Sequence, residues 1–313
     1  MKQRCGFSPL MSTRWRGGRR PLPKFLMSSE AGPIAGGQKF EDVINIAQET
    51  AEAARRVRWL EYEYEDPSDP GAEGPRYPGH YPTSSFQKGL LIVGSGLTSF
   101  FDVYRADMIA CFGEVSGECA FRHMLGQMEA SEEGRRILSE RPRINTKTID
   151  YAALLQMPTT SFGYVYAKFM QDNEISADDR SPVHFVDDPL LAYVATRYRE
   201  VHDIIHAMLA MPTTMLGEVT VKWVEAFQTR LPMCATAGLF GAVRLKPKHR
   251  QLYLKTYLPW ALQTGFESKP FMPVYFEQRW SQDVVDLRRE LCIPTPPSIL
   301  YPSATRKSAG WKA

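Results

Sequence analysis

The feature that most constrains this chain is an apolar period over residues 189–210. Leu191, Val194, Tyr198, Val201, Ile205 and Met208 recur at steps of three and four, the spacing that gathers side chains on one face of an α-helix. Asp188 followed by Pro189 supplies an N-cap and a first helical residue. The helix carries Tyr198-Arg-Glu-Val-His202-Asp203-Ile-Ile-His206. His202 and His206 are one turn apart and share a face; Asp203 neighbours His206 but lies farther round from His202. Pro212 ends the helix, and Thr213 and Thr214 can cap a second one running to about Thr229, with Leu216, Val219, Trp223 and Phe227 as its core stripe. The connection is so short that the two helices must pack side by side. Gly217 permits close approach, which brings Glu218, in the first turn, within reach of both imidazoles.

Two histidines with one or two carboxylates suit a divalent cation. The expected metal ligands are His202, Asp203, His206 and Glu218. Asp203 is open to three readings: a ligand, a catalytic base, or a group that orients a ligand. One ion is expected, zinc first, with ferrous iron or manganese as alternatives. Lys222 and Glu225 continue the Glu218 stripe, and Lys222, at i+4 from Glu218, reads as a salt-bridge partner. The H-E-x-x-H metallopeptidase pattern is not met, because Asp203 stands where the general-base Glu would be.

Helical signals prevail beyond this pair. They cover Ser99–Glu118 and Ser131–Ser139, a segment stopping at Pro158, and FGYVYAKFMQDN after it. Alternating β-branched runs are scarce, so the expected fold class is all-α: a single multi-helix domain with a metal-binding helix pair and a flexible N-terminal extension. Residues 1–38 read as a targeting segment and linker, and 39–76 as a helix followed by an acidic Pro/Gly-rich linker. Residues 77–300 are the folded domain and 301–313 a tail.

Composition narrows the function classes. The first 29 residues hold seven basic residues and no acid, leaving 31 basic against 35 acidic residues in the remainder. An Arg-rich, acid-free head has the composition of a mitochondrial transit peptide. A mildly acidic fold behind it argues against nucleic acid as a partner. The five cysteines, Cys5, Cys111, Cys119, Cys234 and Cys292, form no C-x-x-C pair and fit a reducing compartment. No apolar run reaches the length of a membrane span. Two shorter segments, Gly89–Phe101 and Leu231–Leu245, are apolar enough to read either as buried core or as a surface that faces lipid.

The segment FVDDPLLAYVATRYREVHDIIHAMLAMPTTMLGEVTVKWVEAFQTRLPMC closely resembles the ubiquinone biosynthesis protein four family, with its H-D-x-x-H-x11-E motif. YPGHYPTSSFQK, RADMIACFGEVSGE, RPRINTKTID, YFEQRW and DLRRELCIPTPP extend the resemblance, in family order, over most of residues 77–297. One departure is Ala106, where the family commonly has histidine. The resemblance implies an all-α protein on the matrix side of the mitochondrial inner membrane, peripherally bound and working among other coenzyme Q biosynthesis proteins in a multi-subunit complex. A homo-oligomer is compatible with it. It places the metal on His202, Asp203, His206 and Glu218. It also implies a lyase acting on a polyprenylated 4-hydroxybenzoate: C1 decarboxylation of a 4-hydroxy-3-methoxy-5-polyprenylbenzoate-type precursor, either alone or joined to C1 hydroxylation. The competing expectation is a non-enzymatic lipid-binding scaffold that organises the complex.

Overall fold

Asp188 begins the central helix as its sequence predicts: its carboxylate accepts hydrogen bonds from the Leu190 and Leu191 amides, with Pro189 at the first helical position. In the computed structural model, which describes residues 75–102 and 105–300, this helix runs Pro189–Met208. The described residues fall within one compact unit, Asp66–Ala313. The expected targeting segment, the helix over 39–60, most of the acidic linker and the C-terminal tail lie outside them.

In chain order the longer helices are α1 (Ser85–Phe101), α2 (Ala106–Ser116), α3 (Glu118–Glu129), α4 (Glu132–Glu140), α5 (Phe162–Asp172), α6 (Pro189–Met208), α7 (Met215–Thr229), α8 (Pro232–Val243), α9 (Leu258–Glu267) and α10 (Val284–Glu290). Among the described residues there is no strand, only an isolated bridge between Ser161 and Asp283. The all-α expectation is met. The continuous helix expected over Ser99–Glu118 is not: α1 ends at Phe101 with Asp102 in extended conformation, and α2 starts at Ala106. Local propensity runs through the break, but tertiary packing prevails. α2 folds back on α1, with Phe112 against Gly96.

α6 is buried on nearly every side, 16 of its 20 residues being buried. Its first half (Leu191, Val194, Tyr198) packs in one apolar cluster with Phe121, Met124 and Met128 of α3. Its second half (Val201, Ile204, Ile205, Met208) packs in another with Phe162 and Tyr166 of α5, Val221 and Val224 of α7, and Phe276. A helix so enclosed cannot leave a polar group unpaired without a cost of several kcal/mol. Arg197, with no exposed surface, donates to both carboxylate oxygens of Glu277 (2.8 and 3.1 Å) and to the Val274 carbonyl. Glu200 accepts from Arg143 Nε (2.7 Å) and from the Ile144 amide (3.1 Å).

The elbow between α6 and α7 is tight. Ala210 takes a left-handed conformation (φ +51°). Arg288 donates to the Met208 carbonyl and Ser298 to the Ala210 carbonyl, so the free carbonyls at the end of α6 find donors. Thr214 caps α7 by accepting from the Gly217 amide. A Cβ on Gly217 would lie 1.9 Å from the Pro212 carbonyl oxygen, so only glycine fits this elbow.

Glu277→Ala strands the Arg197 guanidinium in the interior and is expected to destabilise the fold by about 3–5 kcal/mol. The double change Arg197→Met with Glu277→Leu is expected to recover most of that loss. Chemical denaturation of the three proteins measures both effects.

Candidate metal centre

The elbow lays the first turn of α7 beside the last two turns of α6. His202 Nε2 stands 3.9 Å from Glu218 Oε2, and His206 Nε2 stands 3.5 Å from Glu218 Oε1. One ligand atom from each of His202, His206 and Glu218 lies within 4.8 Å of the others, an arrangement that could hold a metal ion. The two imidazoles meet edge to face, their centroids 4.7 Å apart, and Phe169 of α5 stacks on His206.

The far nitrogens fix the orientation of both rings. His206 Nδ1 lies 3.1 Å from the Met211 carbonyl oxygen, which can only accept, so the proton sits on Nδ1 and the Nε2 lone pair faces inward. That Nε2 is buried and has no hydrogen-bond partner. His202 Nδ1 lies 2.7 Å from Glu225 Oε1, a carboxylate with no exposed surface. A carboxylate or carbonyl behind each ligating imidazole is what metal sites commonly use to hold the ring and raise its basicity. Two oriented lone pairs, one of them otherwise orphaned, and a facing carboxylate fit a divalent cation with an open position.

Glu225 anchors a wider buried set. It accepts from Lys222 Nζ (2.8 Å) and from the Tyr198 hydroxyl (2.9 Å), and Tyr198 also contacts Cys234 Sγ at 3.0 Å. The salt bridge expected of Lys222 is therefore made with Glu225 at i+3. The role of Glu225 behind His202 was not read from the sequence; its spacing of two turns beyond Glu218 was the available signal.

Asp203 stands outside the three-residue set. Its carboxylate is held in a bidentate pair by Arg180, through Nε (3.2 Å) and Nη2. Asp203, His202, Glu218, Lys222 and Arg180 line a cleft of about 360 Å³ between α2, α6 and α7. Leu231 and Met233, at the start of the second apolar segment, also line it, together with Ile109 and Ala110 of α2. The first apolar segment packs on α2 and contributes no residue to the lining of this cleft.

The charges bear on each other. Burial opposes a charged His206 ring, but the Glu218 carboxylate beside it prevails and raises its pKa above the ordinary histidine value. Burial and then the Lys222 ammonium push His202 down. Burial works against an ionised Glu218, yet the imidazoles and Lys222 together bring it down to about 2.

The fold and the centre define a helical protein with a two-histidine, one-carboxylate site at the wall of a cleft. Residues 77–297 match the family model described as coenzyme Q (ubiquinone) biosynthesis protein Coq4, and the chain belongs to that family. It is 57% identical over 211 residues to a Bombyx mori protein named ubiquinone biosynthesis protein COQ4 homolog, mitochondrial, covering 67% of this chain and 82% of that one. A Drosophila grimshawi protein of the same name is 59% identical over 208 residues, 66% of this chain and 79% of its own length. A crystal structure from Nostoc punctiforme, of a protein assigned to ubiquinone biosynthesis, shares the fold with a TM-score of 0.53 at 22% identity; the match covers 67% of this chain and 99% of that one.

Glu225→Gln, which keeps the shape but weakens the hold on His202, is expected to lower metal affinity about 10–100-fold. Protons compete with the cation for His206. Because its pKa is raised above the ordinary histidine value in the cation-free protein, affinity is expected to weaken as pH falls through the range that spans that raised value. Metal titration by calorimetry across that range tests both.

Proposed function

We propose that this chain is a metal-dependent enzyme of ubiquinone biosynthesis that removes the C1 carboxyl group of a polyprenylated 4-hydroxybenzoate, a 4-hydroxy-3-methoxy-5-polyprenylbenzoate-type precursor. Family membership supports the pathway. The observation that carries the chemical reading is the convergence of His202 Nε2 and of the buried His206 Nε2, which makes no hydrogen bond, on the carboxylate of Glu218, with His202 and Glu218 lining a cleft.

The carbon that bears the carboxylate is para to a hydroxyl, whose oxygen can push electrons toward it. That carbon then accepts a proton or an oxygen atom as carbon dioxide leaves. His202, His206 and Glu218 would hold the ion, and Asp203 is the further acid that the motif offers as ligand or catalyst. A bound cation supplies Lewis acidity for positioning carboxylate or phenolate oxygen, and, if it is ferrous iron rather than zinc or manganese, oxygen chemistry as well. Asp203 lies on the same cleft wall, with both carboxylate oxygens paired to Arg180. Leu231, Met233, Ile109 and Ala110 give the cleft an apolar side suited to a prenylated ring.

The surface supports a membrane-bound setting. Phe86, Leu90, Val93, Leu97 and Phe101 recur along α1 and are all exposed. Phe100 meets Phe240 of α8 edge to face at 4.9 Å, which joins the α1 stripe to exposed Phe240 and Val243. Among the described residues no helix is long and apolar enough to cross a membrane. This apolar face fits peripheral binding to the matrix side of the mitochondrial inner membrane. The mitochondrial names of the relatives and the basic N-terminus point to the same compartment. Assembly there with other coenzyme Q biosynthesis proteins is part of the proposal. The same apolar face also favours a second reading, in which the chain grips prenyl tails and organises that assembly without turnover.

Metal analysis of purified protein, paired with turnover of the prenylated hydroxybenzoate with and without oxygen, separates the readings. Turnover that is lost with chelator, and lost in His202→Ala while its helical circular dichroism persists, is expected. Full activity of His202→Ala sinks the metal-dependent reading. No turnover by metal-loaded protein favours the scaffold. Leu90→Glu with Val93→Glu is expected to reduce binding to anionic liposomes at least about tenfold, measured by co-sedimentation.

A further inference from the structure

Three cations, Arg180, Arg199 and Lys222, line the cleft beside the candidate metal centre. Two are spent within the protein. Arg199 donates to the Ser181, Pro182 and Ala110 carbonyls and pairs with Glu114. Lys222 is bound to Glu225 and lies 3.5 Å from both the Tyr198 hydroxyl and His202 Nδ1. Arg180 differs. Its Nε and Nη2 engage Asp203 along one edge of the guanidinium, while Nη1 donates to no acceptor among the described residues. A guanidinium has two such edges, and the second, formed by Nη1 and the other Nη2 hydrogen, matches a planar carboxylate in a bidentate pair.

Arg180 is also held in place. It follows the short 3-10 turn Ala177–Asp179, which is closed by a capping box between Ser176 and Asp179. The next residues are clamped by Arg199 through the Ser181 and Pro182 carbonyls and by buried Glu114, which accepts from the His184 and Phe185 amides at 2.7 Å each. Asp203 then fixes the plane of the guanidinium from α6. A cation so oriented loses little freedom when a ligand arrives.

We propose that Arg180 is the carboxylate anchor of the cleft: its free edge binds the C1 carboxylate of an aromatic acid, and Asp203 acts as the positioning residue that aims it. The identity of the acid rests on the decarboxylase reading above; the preference for a planar carboxylate rests on the open edge. Asp203 would thus serve the site without contacting the cation, and Arg180 would set specificity for an acid over a neutral analogue.

The test uses the full-length, metal-loaded protein with 4-hydroxy-3-geranylbenzoate and its primary amide, binding being followed by tryptophan fluorescence. Wild type is expected to bind the acid at least about tenfold more tightly than the amide. Arg180→Gln should weaken the acid about 10–100-fold, leave the amide within about twofold, and leave metal content unchanged. Arg180→Lys keeps the charge but not the second edge, and should lose most of the preference. In turnover, Arg180→Lys should raise KM far more than it lowers kcat. Equal binding of acid and amide by wild type overturns the assignment, as does equal weakening of both ligands in Arg180→Gln. If Arg180→Gln does not fold, Arg180→Lys decides, and its keeping the full preference overturns the assignment. An acid preference that depends on Arg180, in a protein that does not decarboxylate, supports the anchor and sinks the decarboxylase reading. Decarboxylation without an acid preference does the reverse.

Discussion

The structure depends on enclosing a charged helix. α6 runs through both apolar clusters, yet along its length it carries Arg197, Glu200, His202, Asp203 and His206, all buried. In an interior of low polarity each of these needs a partner, and each partner comes from a different part of the chain: Glu277, Arg143, Glu225, Arg180 and the Met211 carbonyl. The pairs therefore fix how the surrounding segments sit on α6. The same requirement positions the candidate centre, because a histidine whose far nitrogen is committed can turn only its near nitrogen inward.

Stability and chemistry are thus built from the same kind of contact. Arg197–Glu277 and Glu200–Arg143 pair charge with charge away from the cleft of the centre, Arg197 Nε alone being left without an acceptor. Arg180, which lines that cleft, spends one guanidinium edge on Asp203, and His206 Nε2 faces Glu218 without a hydrogen bond. A buried polar atom without a partner is costly unless something binds it, so those left over beside the cleft are where a ligand is expected.

Much of this was legible in the sequence. The three-and-four period over Leu191–Met208, the Asp188-Pro189 start and the Pro212 stop defined the helix pair, and Gly217 indicated the close approach, because all of these are local signals. The meeting of His202, His206 and Glu218 followed from the short connection. What escaped was long-range. Arg180 reaches Asp203 from an irregular segment that carries no periodic signal. The bend after Phe101 interrupts a stretch whose local preferences are helical throughout, since it is set by the packing of α2 on α1. Lys222 chose Glu225 over Glu218 because Glu218 faces the imidazoles across the elbow.

Gly217 touches neither imidazole, and its missing side chain sits against the Pro212 carbonyl. Its neighbour in sequence is nonetheless one corner of the centre. Any larger residue there would prise the two helices apart at the hinge and carry the Glu218 carboxylate outward with them. Sorting residues by distance from the cation would file this position under scaffolding, while a sensitivity map would place it among the ligands. The spacing between the second imidazole and the acid is for that reason a rigid ruler, intolerant of a single inserted residue, and the two helices with their elbow would transfer to another host only as one piece.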